Sequence, residues 1–79
     1  MKEYKIIEIE WVDSKSGGDW EYLDEIKPEA AEVRTIGYLI SEDNESITLA
    51  HSIAKNQCCG RITIPKVCIK SKKAINNKP

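Results

Sequence analysis

Four side chains in this sequence have the chemistry for metal binding or nucleophilic attack: Cys58, Cys59, Cys68 and His51. Three thiols and an imidazole match the donor set of a tetrahedral zinc ion. Their spacing argues against that use. Cys58 and Cys59 are adjacent, and neighbouring strand residues point to opposite faces, so they do not converge on one ion. No Cys-x-x-Cys occurs. The three cysteines are expected to act as small core hydrophobes. Cys59 and His51 have the types of a nucleophile and its base, but nothing in the spacing joins them and no orienting Asn or Asp is identifiable. The carboxylate pairs Glu8/Glu10 and Glu42/Asp43 fall on an exposed strand face and in a turn, where they are solvated rather than poised for proton transfer. Gly17-Gly18 lacks the spacing and the following Lys of a phosphate loop. No catalytic residue, metal or cofactor is assigned, and the protein is expected not to be an enzyme.

Binding is the remaining class. Residues 1–45 hold all 13 acids and five bases, whereas residues 46–79 hold seven bases and no acid. The bases Arg61, Lys66, Lys70, Lys72 and Lys73 are candidates for contacting a polyanion. Single-strand binders interleave aromatics among such bases for stacking, and none is present here. The alternative is that the two halves interleave in a barrel and neutralise each other across neighbouring strands. Among the aromatics, Trp11 is expected in the core. Trp20 suits either a core or a binding role, and Trp20 and Tyr22 are the candidate partner-binding residues.

The elements that must carry these residues centre on Val33–Ala50. Two apolar runs, Val33–Ile40 and Ile47–Ala50, flank Ser41–Ser46, a hairpin signature. Gly37, inside the first run, marks a bulge, a bend or a close backbone approach. A long strand bent at glycine and returned by a hairpin is how a small sheet curls into a barrel. Ahead of it, Tyr4–Val12 places Ile7, Ile9 and Trp11 on one face and Glu8 and Glu10 on the other. Asp13–Gly18 reads as a loop. Asp19 is expected to cap a short helical turn ended by Pro28, with Trp20, Leu23 and Ile26 along one edge that plugs the sheet. After the hairpin, His51–Gln57 is an ambiguous connector. Cys58–Ile64 reads as a fourth strand, stopped at Pro65. Val67, Ile69 and Ile75 resume an apolar pattern as a short last strand. Lys70–Lys73 and the polar end look like a solvated tail.

Seventy-nine residues, 41% apolar with no Phe, make one small domain whose core comes from Ile, Val, Leu, Trp and Tyr. The domain is expected over 1–75, with a flexible C-terminal tail over 76–79. No apolar leader and no stretch of about 20 apolar residues is seen. An odd cysteine count argues against a disulfide framework. A cytoplasmic address with reduced thiols and no membrane contact is therefore expected.

The order strand, helical turn, bent strand, hairpin, strand, Pro turn and short strand resembles the small five-stranded barrels of the SH3-like and Sm-like type. Gly37, Leu39 and Asp43 match the Gly-x-Leu and acidic turn of the Sm family. The family's RNA-holding Asn falls here on Ile47 or Ser46, and its later Arg-Gly pair on Pro65-Lys66. The resemblance thus implies the architecture without its RNA contacts. Trp11-x-Asp13, Gly18-x-Trp20, Ile36–Ile40, Ile47–Ala50 and Cys59–Lys66 together resemble short uncharacterised proteins of tailed bacteriophages and prophages, which bring no activity with them. The expectation is an all-β, small five-stranded SH3-like/Sm-like barrel with one short helical turn. Its expected role is a non-enzymatic phage-type accessory or assembly module that binds a protein partner or copies of itself. The second reading is a nucleic-acid-binding Sm-like or OB-like barrel that uses the basic C-terminal part.

Overall fold

A run alternating apolar and charged residues buries one face and wets the other. In the computed structural model, which describes residues 3–75, the first such run is strand β1, Ile6–Asp13, with Ile7, Ile9 and Trp11 buried. The tail expected over 76–79 lies outside the described residues. Four more strands follow: β2 (Ala31–Glu42), β3 (Ser46–Ile53), β4 (Cys58–Pro65) and β5 (Ile69–Ala74). All pairings are antiparallel, in one sheet of order β4-β3-β2-β1-β5. The only helical pieces among the described residues are two 3-10 turns, Leu23–Glu25 and Lys66–Cys68. The all-β expectation therefore holds. Closure into a barrel is not seen, because no ladder joins the edge strands β4 and β5 among the described residues.

The open sheet is nonetheless strongly curled. Ile7, Ile9 and Trp11 of β1 share one core cluster with Ile47 and Leu49 of β3 and Ile64 of β4, although β2 lies between β1 and β3. Lys72 gives the same result. It sits level with Ile9, and Ile9 with Thr35. Glu42 is seven residues further along β2, so a flat sheet would hold it roughly 23 Å away along the strand. The two side chains are instead 3.1 Å apart. The curl has two visible sources in β2. Gly37 lets the backbone of β3 approach closely. The register then shifts between Leu39 and Ser41 and leaves Ile40 as an extra residue, the kind of bulge that bends a strand.

The β2–β3 turn is locked by one side chain. Asp43 Oδ1 accepts from the backbone N–H groups of Glu45 and Ser46 at 2.8 and 2.9 Å, the local bond that makes Asp a turn former. The ambiguous segment after it is resolved: β3 runs on to Ile53, and Ala54–Gln57 close a second hairpin, with Ala54 N–H donating to Gln57 O at 2.8 Å. Within β4, Gly60 has φ +69°, a left-handed conformation suited to glycine.

Several expectations need correction. The helical turn from Asp19 to Pro28 does not form. Only Leu23–Glu25 makes one 3-10 turn, with Tyr22 rather than Asp19 at its start and no side-chain cap. The nine residues between Gly18 and Pro28 are too few to offset helix nucleation. Their edge does not plug the sheet either: Trp20 is fully exposed and Leu23 is 88% exposed. Lys70–Lys73 are not tail but strand, hydrogen-bonded along β1. Val67 belongs to the second 3-10 turn and is exposed, so the last strand starts at Ile69. Leu39 is half-buried and packs on the core from its margin. Cys58 and Cys59 are exposed, and only Cys68 packs against the core. They stand at the start of the edge strand β4, outside the apolar cluster.

Candidate functional site

The acidic and basic halves meet because β5, from the basic half, lies beside β1, from the acidic half. Lys70 Nζ contacts Glu32 at 2.9 Å, Lys66 and Lys72 contact Glu42 at 2.9 and 3.1 Å, and Lys73 contacts Glu8 at 3.8 Å. Arg34 reaches Glu8 and Glu10 at 3.9 and 3.3 Å. The hydrogen bond and charge of Lys70 hold the Glu32 carboxyl below its usual range, and Glu32 in turn raises Lys70. Hydrogen bonds from Lys66 and then Lys72 lower Glu42. Four of the five candidate polyanion contacts are thus opposite carboxylates of their own chain. The fifth, Arg61, forms no ion pair among the described residues and donates to Thr63 Oγ1 at 3.1 Å.

Trp20 and Tyr22 lie elsewhere, in the segment 14–30 that joins β1 to β2. The β1–β2 ladder ends at the pair Asp13 and Ala31. Beyond it Gly17, Gly18 and Pro28 interrupt any regular strand. Its backbone hydrogen bonds are local, from Glu25 N–H to Tyr22 O at 3.0 Å and Glu29 N–H to Lys27 O at 2.8 Å. The segment exposes Trp20, Tyr22, Leu23 and Ile26. Contiguous exposed apolar side chains on a polar background are a mark of a contact site. The helical spacing of Leu23 and Ile26 points to a core-facing edge, which hides them from sequence reasoning as part of this patch. Trp11, in contrast, is in the core as expected, its Nε1 donating to Thr35 Oγ1 at 2.9 Å.

The thiols and imidazole do not assemble into a site. Cys59 pairs with Ser52 and Cys58 with Ile53 across the β3–β4 ladder. His51 is exposed, its Nδ1 2.9 Å from Ser52 Oγ. No group of three or more His, Cys, Asp or Glu that could hold a metal ion occurs among the described residues. At the β3–β4 tip, however, there is a shallow cleft that sequence reasoning missed, lined by Tyr4, Ile40, Ile53, Lys55 and Cys58 with neighbouring polar residues. Its residues come from three distant stretches, which left no local signal to read.

Comparison with protein-family models, curated proteins and solved structures finds no match to this chain. No helix among the described residues is long and apolar enough to cross a membrane.

Proposed function

We propose that this protein is a non-enzymatic module that works by binding protein, and that the segment 14–30 is its contact arm with Trp20 and Tyr22 as the anchoring residues. One observation carries this reading. A 17-residue segment exposes four large apolar side chains, and among the described residues none packs them into the core cluster. Aromatic anchors of this kind supply most of the energy at protein interfaces. Leu23 and Ile26 extend the same patch. The finer fold reading, a small SH3-like or Sm-like barrel, belongs to the proposal. It is supported by the β1–β4 meander, the 3-10 turn after β4 and the return of β5 beside β1. An accessory or assembly role of the phage or prophage type is part of it too and rests on the sequence motifs alone.

The nucleic-acid reading would require Lys66, Lys70, Lys72 and Lys73 to exchange carboxylates for phosphates, so it stands second. The deciding experiment places the photoreactive p-benzoylphenylalanine in place of Tyr22 and, separately, in place of Lys72. Irradiation should yield protein–protein adducts from position 22 and none from position 72. Adducts to nucleic acid, or adducts from position 72 alone, would overturn the protein-binding reading.

A further inference from the structure

Charge pairing divides the molecule in two. On the sheet, Glu8, Glu10, Glu32 and Glu42 have cationic partners, and Asp13, the last residue of β1, has none among the described residues. On the arm, Asp19, Glu21, Asp24, Glu25 and Glu29 form no ion pair among the described residues, and they outnumber its lysines, Lys15 and Lys27. Uncompensated negative charge therefore surrounds the exposed Trp20 and Leu23. The cleft at the β3–β4 tip has the opposite character. Ile40 and Ile53 give it apolar walls, and Lys55, also without an ion pair among the described residues, stands on its rim. Glu3 and Lys5 flank Tyr4 in the chain and offset each other, so Lys55 is the cation that sets the charge of the cleft. An apolar anchor with an acidic surround and an apolar cleft that carries a lysine are complementary in polarity and charge.

The arm does not fill the cleft of its own chain, since Trp20 is fully exposed. We infer that it fills the cleft of a second copy, with Trp20 against Ile40 and Ile53 and the arm carboxylates beside Lys55. This rests on the protein-binding reading and names its occupant. The contact joins two different patches, so two copies exchange arms reciprocally or a series of copies joins head to tail. The cleft is shallow, so association is weak and belongs to the micromolar range or above.

Sedimentation and light scattering of the full chain, from about 1 µM to about 1 mM, test it. The mass should rise from monomer to dimer or beyond, and added salt should reverse the rise by screening the rim charges. Trp20→Ala, with a damaged arm and intact cleft, should stay monomeric. Lys55→Glu, with an intact arm and damaged cleft, should do the same. Both positions are exposed, so both variants should melt with the parent. Mixed one to one, the two variants should recover a two-chain complex. A parent that stays monomeric, a Lys55→Glu variant that associates like the parent, or a mixture that stays monomeric overturns the inference. If the parent stays monomeric while position 22 still crosslinks to another polypeptide, the arm binds a different protein and only self-docking fails. If position 22 crosslinks to nothing, both readings fail.

Discussion

A Cβ on Gly37 would stand 2.9 Å from the carbonyl oxygen of Ala50 and 3.1 Å from Leu49 Cβ. The first contact is with backbone held in the β2–β3 ladder, which cannot swing aside as a side chain does. Gly37→Ala and Gly37→Val should both destabilise, by about 1–3 kcal/mol, although valine is the better strand former. Urea midpoints measure this. Unchanged midpoints would show that β2 and β3 separate without cost and remove Gly37 as a source of the curl.

The core is graded from centre to margin. Ile9 is fully buried, so Ile9→Ala should cost about 2–5 kcal/mol, comparable to the stability of so small a domain. Leu39→Ala, at a half-buried site, should cost less. Melting temperatures of the two variants should fall in that order, and the reverse order would place the packing centre on β2.

Three carboxylates make the fold acid-sensitive. Glu42 and Glu32 are held below the usual carboxylate range by hydrogen bonds from lysines, and Asp43 below it by the backbone N–H groups of Glu45 and Ser46. A depressed folded pKa means stability that is present above the unfolded value and lost as pH falls through the folded one. Melting temperature should therefore hold down to about pH 5 and then decline across the carboxylate range. Glu42→Gln should show a shallower decline, and a slope equal to the parent's would mean that its lysine contacts do not persist in solution.

Two thiols should react at once with an aromatic disulfide reagent and the third slowly, since Cys58 and Cys59 are exposed and Cys68 packs on the core. Cys58→Ser with Cys59→Ser should leave one slow thiol and the same melting temperature. Elemental analysis should find far less than one zinc per chain, and a chelator should leave the far-UV spectrum unchanged. Stoichiometric zinc, or unfolding by chelator, would show a structural metal supplying folding energy.

Oligonucleotides should bind no tighter than the non-specific range of about 10⁻⁴ to 10⁻⁶ M, because Lys70 and Lys72 already face Glu32 and Glu42. A labelled single strand titrated at two salt concentrations gives the answer. Submicromolar binding, lost with Lys70→Glu/Lys72→Glu, would put the nucleic-acid reading first.

What the sequence by itself determined is what neighbouring residues decide together. The period of two in Ile7, Ile9 and Trp11 needs only one apolar face to become a half-buried strand. Asp43 closes its turn with N–H groups two and three residues on. Gly37 was legible as an irregularity, though not as an approach to Ala50, because Ala50 is brought there only by the hairpin. Tertiary structure decided the rest. Lys70–Lys73 read as a solvated tail because their partner, β1, lies some sixty residues earlier; pairing with β1 sets Lys73 opposite Glu8, and the curl of the sheet brings Lys72 to Glu42. Trp20, Leu23 and Ile26 carry the spacing of a core-facing helix edge. A spacing states which side chains share a face, not whether a core remains for that face to cover. Here Ile7, Ile9, Trp11, Ile47, Leu49 and Ile64 already form the core cluster among themselves, and the arm is left exposed.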